Sequence, residues 1–155
     1  MTISENKQTV LSTLGAIRRP GMDKVLEYIN KSNYFTARCY SHHKERGGLV
    51  QHSIEVYDYM KDHSLGMFTE ESMALCALLH DLGKSRRTGF KFYGRHDQRS
   101  LAILDWCGLE LSDAERTAIL HHDHSPKSYL CTLRTLLSFG DCHSTGEWKR
   151  CHRGE

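Results

Sequence analysis

An all-α bundle of about seven helices is the fold this sequence predicts, and three observations predict it. Apolar residues return at intervals of three and four in one segment after another. Each segment is bounded by a capping residue, a glycine or a proline. Little is left with the two-residue period of a strand: the aromatic runs at 34–35 and 90–93 are the best hairpin candidates, and neither alternates.

In chain order, Ile3, Val10, Leu11, Leu14 and Ile17 mark an amphipathic helix over 3–17, stopped by Pro20. Met22, Val25, Leu26 and Ile29 mark a second over 22–31. A loop from Ser32 to Gly48 leads into a third, with Leu49, His52, Ser53, Val56, Tyr57 and Met60 on one face and an end near Gly66. Thr69 offers a hydroxyl N-cap, and Glu70 and Glu71 suit the positive end of the helix that follows, which closes at His80–Asp81 before Gly83. After a loop over 84–95, residues 97–107 form a helix ended by Gly108. Ser112-Asp-Ala-Glu115 is a capping box for the helix that reaches His122. A last helix runs from about Ser128 to Asp141 through Leu130, Leu133 and Leu137.

A chain of 155 residues, 39% hydrophobic and 26% charged, suffices for one domain over 1–155, with its motifs within about 40–143 and N-terminal helices over 3–31. The net charge of +2 excludes a uniformly basic surface, and no apolar run is long enough for a membrane span. Six cysteines include no Cys-x-x-Cys pair, which argues against a zinc ribbon. With Cys76 and Cys131 in apolar helical patterns and no secretory segment, they read as reduced thiols of a cytoplasmic protein. Cys142-His143 and Cys151-His152 repeat in the tail, but their spacing matches no common zinc finger.

The chemistry-bearing residues gather at helix ends. His80 and Asp81 sit beside Leu78, Leu79 and Leu82, where burial is costly unless both groups are paired or coordinate a cation. His52 lies on an apolar helix face, His96 opens a helix, His121 and His122 close one, and Asp141 ends the last. Adjacent helical residues point about 100° apart, so His80 and Asp81 reach one ion only where their helix ends and partner helices converge.

In these residues the chain resembles the HD-domain superfamily of metal-dependent phosphohydrolases, whose ligand order is His, His-Asp, then a distant Asp, here His52, His80–Asp81 and Asp141. A subset of that family carries two further histidines between the pair and the last Asp and binds two metals; His96 and His122 stand in those places, with His121 a possible extra ligand. Gly47-Gly-Leu49, preceded by His42-His43, is similar to HD domains of some exoribonucleases. The resemblance implies one metal on His52, His80, Asp81 and Asp141, and a second on His96 and His122 bridged by Asp81. It also implies that Lys84 lies beside the metals, binding phosphate or stabilising the leaving group. Imidazoles and carboxylates without thiolate suit manganese, iron, cobalt, nickel or zinc better than magnesium or calcium. The Gly-Tyr-Pro element of the cyclic-dinucleotide phosphodiesterases is missing from His121-His-Asp-His-Ser-Pro126.

From 84 to 99 the chain carries Lys84, Arg86, Arg87, Lys91, Arg95 and Arg99 against one acid, Asp97, a local cationic patch that suits an anionic substrate. Lys84, Arg87, Arg95, Arg99 and His43 are the expected substrate contacts, and Phe90, Phe92 and Tyr93 are placed to stack on a base. The expected function is hydrolysis of a nucleotide or related phosphate ester by a metal-activated water, with Asp81 and Lys84 catalytic and a single-stranded nucleic-acid end as a further partner. The alternatives are a two-iron oxygenase of the same superfamily acting on a small polyol or phosphonate, and a non-catalytic nucleotide-binding module.

Overall fold

A computed structural model of the chain describes residues 1–123 and 132–146. Among these are seven α-helices and no strand: α1 (Ile3–Gly15), α2 (Met22–Lys31), α3 (Gly48–His63), α4 (Glu70–Leu79), α5 (His96–Cys107), α6 (Asp113–His121) and α7 (Leu133–Thr145). A single 3-10 turn, Leu82–Lys84, separates α4 from α5. Helix α3 lies at the centre between α4 and α7, α6 packs on α7, and α5 lies against the 3-10 turn.

Caps place most boundaries where the sequence puts them. Thr69 Oγ1 accepts the Ser72 N–H to start α4, the Ser112–Glu115 capping box starts α6, and Gly108, at φ 72°, ends α5. Helix α7 departs from expectation. It begins at Leu133, because Thr132 is extended and its hydroxyl accepts the Thr135 N–H, and it runs one turn past Asp141 to Thr145. Ser128 and Leu130, assigned to that helix from sequence, lie outside the described residues.

The core runs through Leu14, Val25, Ile29, Leu49, Met60, Leu75, Leu78, Leu79, Leu82 and Leu104, all essentially inaccessible. Val10 and Leu14 of α1 are buried in it, so the apolar face of that helix is spent within the chain. Cys39, Cys76 and Cys107 are buried free thiols, as expected, but Cys142 is disulfide-bonded, which corrects the reading of six reduced cysteines. Spacing along the chain does not show which thiols folding brings together, and the partner lies outside the described residues, as do Cys131, Cys151, His152 and His124. His143 is exposed with its ring against Tyr59, and His63 stacks on the same ring.

Candidate metal centre and adjoining cavity

Three junctions bring the sequence-predicted donors together. At the first, Gly47 (φ 85°) turns the chain into α3, and Gly48 packs so closely on the His43 backbone that a Cβ there would collide with it. His52 follows one turn into that helix and is fully buried. At the second, α4 ends at His80 and Asp81 leaves helical geometry (φ −104°, ψ 13°). Gly83 then lies against the His96 carbonyl with no room for a side chain. Its N–H donates to Ser100 Oγ (2.8 Å), and Ser100 Oγ in turn reaches the His80 carbonyl (2.7 Å). The end of α4 is thereby stitched to the start of α5, which delivers His96. At the third, Ser138 Oγ of α7 donates to the His122 carbonyl (2.8 Å), holding the end of α6 against the helix that carries Asp141.

Hydrogen-bond inventory fixes which ring nitrogens face inward. His80 Nδ1–H donates to the Ala77 carbonyl (2.8 Å) and His122 Nδ1–H to the Ile119 carbonyl (2.7 Å), leaving both Nε2 atoms as lone pairs. His52 Nδ1 lies 3.0 Å from Ser144 Oγ, whose one proton goes to Glu55 Oε2 (2.6 Å). Ser144 therefore accepts from His52 Nδ1–H, and the His52 Nε2 is a lone pair as well. Burial pushes the Glu55 carboxyl up, but hydrogen bonds from Ser144 and Gln51 outweigh it and keep Glu55 ionised. The same carboxylate receives His43 Nε2 at 3.0 Å, and His43 Nδ1 meets His42 Nδ1 at 2.6 Å. Burial, with the nearby His52 and Lys84, lowers His42 to about 4, so it is neutral at physiological pH.

These lone pairs converge on one carboxylate. The Nε2 atoms of His52 and His80 are 3.3 Å apart, and Asp81 Oδ2 lies 3.5 and 3.4 Å from them. Asp141 Oδ1 joins this group at 3.1 Å from His52 Nε2. On the other side, the Nε2 atoms of His96 and His122 are also 3.3 Å apart, and Asp81 Oδ1 lies 3.4 and 3.6 Å from them. That Oδ1 is fully buried and has no hydrogen-bond partner among the described residues. The facing lone pairs of His52 and His80 repel at this spacing unless a cation lies between them, and on both sides about 3.3 Å is the edge expected between nitrogens bound at about 2.0–2.1 Å to one ion. The donor set fits a divalent transition metal on each side of Asp81. His121 joins neither group: it precedes the lone-pair-bearing His122, and its carbonyl receives Arg134.

Protonation suits ligation on most of these atoms. Burial raises the Asp81 carboxyl, but the charges of His80 and Lys84 more than reverse this and hold it well below the usual range. Asp141 is likewise raised by burial and held below the usual range by its imidazole neighbours, His52 foremost. Burial lowers His80 and His96 in spite of Asp81. His122 is the exception: burial lowers it, but the nearby Asp81 carboxylate leaves it raised, so a proton competes with a cation there.

The HD domain family model matches residues 49–149, which contain this whole donor set. The chain belongs to the HD domain family. No curated protein and no solved structure matches it.

Beside the donors, this HD domain opens into a cavity of about 940 Å³ whose wall includes Lys84 and His96. Lys84 Nζ is 2.7 Å from Asp81 Oδ2; burial lowers its pKa, but Asp81 leaves it raised overall. The expected substrate contacts are placed unequally. Arg99 lines the cavity with its guanidinium bonded to the carbonyls of Gly83 and Gly94. Arg87 lines it with its guanidinium 4.2 Å from the Phe90 ring centre and near Tyr28 and Trp106. Arg95 lies outside and pairs with Asp97. His43 belongs to the Glu55 chain behind His52. Phe90 and Phe92 pack edge-on against Tyr28, while Tyr93 is exposed.

Sequence reasoning missed Glu55, Ser144, Ser100 and Arg38. A signal existed for two of them: Glu55 follows His52 by three residues and Ser144 follows Asp141 by three, the spacing that stacks polar side chains on one helix face.

Proposed function

We propose that this HD domain is a phosphohydrolase that uses divalent metal to cleave a nucleotide or related phosphate ester. One cation is held by His52, His80, Asp81 and Asp141 and a second by Asp81, His96 and His122. The observation that carries this reading is the two-sided placement of Asp81, each oxygen facing a different pair of imidazole Nε2 atoms. Divalent ions bound there supply acidification of water and neutralisation of phosphoryl charge.

The chain's own groups do the rest. Lys84 stays protonated, lines the cavity and offers N–H donors to phosphoryl oxygens whose charge grows as the ester bond breaks. The Ala77 and Ile119 carbonyls and Ser144 hold three imidazoles in one tautomer, so no ring has to turn before ligation. His52, His80 and Asp81 are walled off from water, which keeps charge interactions strong on the inner side.

The test is phosphate release from a panel of nucleotides, using protein stripped of metal and reloaded separately with manganese, iron, cobalt, nickel or zinc. Metal-dependent release from at least one nucleotide class is expected. Bound metal with no release, or oxygen uptake coupled to product in the iron-loaded protein, overturns the reading.

A further inference from the structure

The cavity holds more cationic surface than one phosphate requires. Among the described residues its wall carries Arg38, Lys84, Arg86, Arg87, Lys91 and Arg99 and no Asp or Glu. Three of these cations are already engaged: Lys84 by Asp81, Arg99 by two backbone carbonyls, and Arg87 by an aromatic cage. The other three, Arg38, Arg86 and Lys91, are exposed, have no carboxylate partner among the described residues and are less fully held: Arg38 gives one N–H to the Lys44 carbonyl (3.1 Å), and Lys91 lies 5.3 Å from the Tyr93 ring centre. Arg38 comes from the loop before α3, far in sequence from the other two, so folding has concentrated like charge in one concavity. Such a field is unfavourable to the empty protein and favourable to a polyanion.

The remaining surface fits the other half of a nucleotide. Tyr28, Phe90 and Phe92 form an apolar floor beside the cations, and Tyr40, 86% exposed, stands in the lining. At about 940 Å³ the space is at the top of the about 300–1,000 Å³ range of small-molecule sites.

We propose that Arg38, Arg86 and Lys91 form a second anion subsite, which binds phosphates beyond the scissile one. The preferred substrate therefore carries several phosphates along a nucleotide framework. This rests on the reading of the Asp81 donor set as the phosphoryl centre, because that reading places the scissile group at the Lys84–His96 end of the cavity. The phosphate chain of a nucleoside polyphosphate and the backbone of a short single strand present the same chemistry.

Equilibrium binding tests the subsite without depending on turnover. Fluorescent, non-hydrolysable probes are titrated into the metal-loaded protein: a nucleoside monophosphate, the corresponding triphosphate and a short single-stranded oligonucleotide. The proteins compared are wild type and the Arg38→Ala, Arg86→Ala, Lys91→Ala triple variant, whose changes are all at exposed positions. At least one multi-phosphate probe is expected to bind wild type about tenfold or more tighter than the monophosphate. The triple variant should lose that advantage, hold the monophosphate within about twofold, and, for the oligonucleotide, lower the salt slope by about 2. Preference for the triphosphate or for the oligonucleotide identifies the source of the phosphates. Equal binding of all three probes by wild type, or equal weakening of all three in the variant, overturns the proposal. Loss of hydrolysis with the binding pattern intact would sink the phosphohydrolase reading and leave the subsite standing.

Discussion

Two carboxylates are equally hidden in this protein and are treated in opposite ways. Glu115 is 1% exposed and Asp81 0%. Glu115 receives Arg19 on both oxygens, Ser72 Oγ at 2.6 Å and the Ser112 N–H at 2.9 Å, so the chain itself supplies every partner its charge needs. Asp81 receives Lys84 on Oδ2, while Oδ1 has no hydrogen-bond partner among the described residues and four imidazole Nε2 atoms lie within 3.6 Å of the carboxylate. A buried charge without internal compensation lowers stability, and one compensated within the chain contributes to it. The Glu115 cluster clamps α4, α6 and the α1–α2 loop together. The Asp81 cluster pairs Oδ2 with Lys84 but leaves Oδ1 without a hydrogen-bond donor among the described residues, a demand that an added cation meets. Stability given up at such a place is characteristic of a binding site.

The sharpest way to break this contrast is Asp81→Asn, which keeps the shape and removes the charge. Turnover should fall to background. Metal should also cease to raise the melting temperature, a gain worth about 2.7 kcal/mol at a hundredfold excess over the dissociation constant in wild type. In chelator, the variant should melt close to wild type, because losing the Lys84 pair on Oδ2 is offset by the relief of an Oδ1 that has no donor. A large drop in its metal-free stability would show that Asp81 is compensated within the chain after all.

Glu115→Ala should do the reverse. It takes from Arg19 one of its two carboxylates, Glu71 being the other, and leaves Ser72 and the Ser112 N–H without their acceptor, at an expected cost of about 1–3 kcal/mol in denaturant unfolding while metal affinity stays within about threefold. A cost below about 1 kcal/mol would reduce the cluster to a surface ion pair.

Acid should sharpen the same contrast. Burial raises the Glu115 carboxyl, but Arg19 and Ser72 outweigh this and hold it below its ordinary value of 4.5. The unfolded chain therefore binds the proton first as pH falls. The contribution of the cluster is whole above about 4.5 and is lost as pH falls through the lower, folded value. Between pH 6 and pH 3, metal-free wild type should lose more stability than Glu115→Gln by about 1–2 kcal/mol. Parallel curves for the two proteins would count against the cluster as a source of stability.

The Asp81 cluster was legible in the sequence because its members are polar residues at places where the helical pattern demands apolar ones: His52 on a buried face, His80, Asp81 and His122 at the ends of apolar runs. Charge density between Lys84 and Arg99 also announced a cationic wall. Which of those cations remain for a ligand could not be read. That depends on Tyr28 and Trp106 caging Arg87, on two carbonyls holding Arg99, and on Arg38 arriving from a distant loop. Nor did Glu115 announce itself beyond its cap, since its partner Arg19 lies 96 residues away and meets it only in the folded chain.

The last expected effect concerns how the donors are held. Ser144 sits one turn beyond Asp141 on α7, and its hydroxyl joins Glu55 to His52 Nδ1. Ser144→Ala leaves every donor atom in place but lets the His52 ring choose the other tautomer, with the proton on Nε2 facing the carboxylates. Outer partners of metal-bound imidazoles are typically worth about 10- to 100-fold in affinity, and the loss should fall in that range when a competing chelator measures it. Ser144→Thr, which keeps the hydroxyl, should recover most of it, and Glu55→Gln should fall between the two, because an amide still accepts the Ser144 proton without the carboxylate's charge. If Ser144→Ala binds metal as wild type does, the backbone of α3 alone orients His52, and the contrast between the two buried clusters reduces to the placement of Asp81 itself.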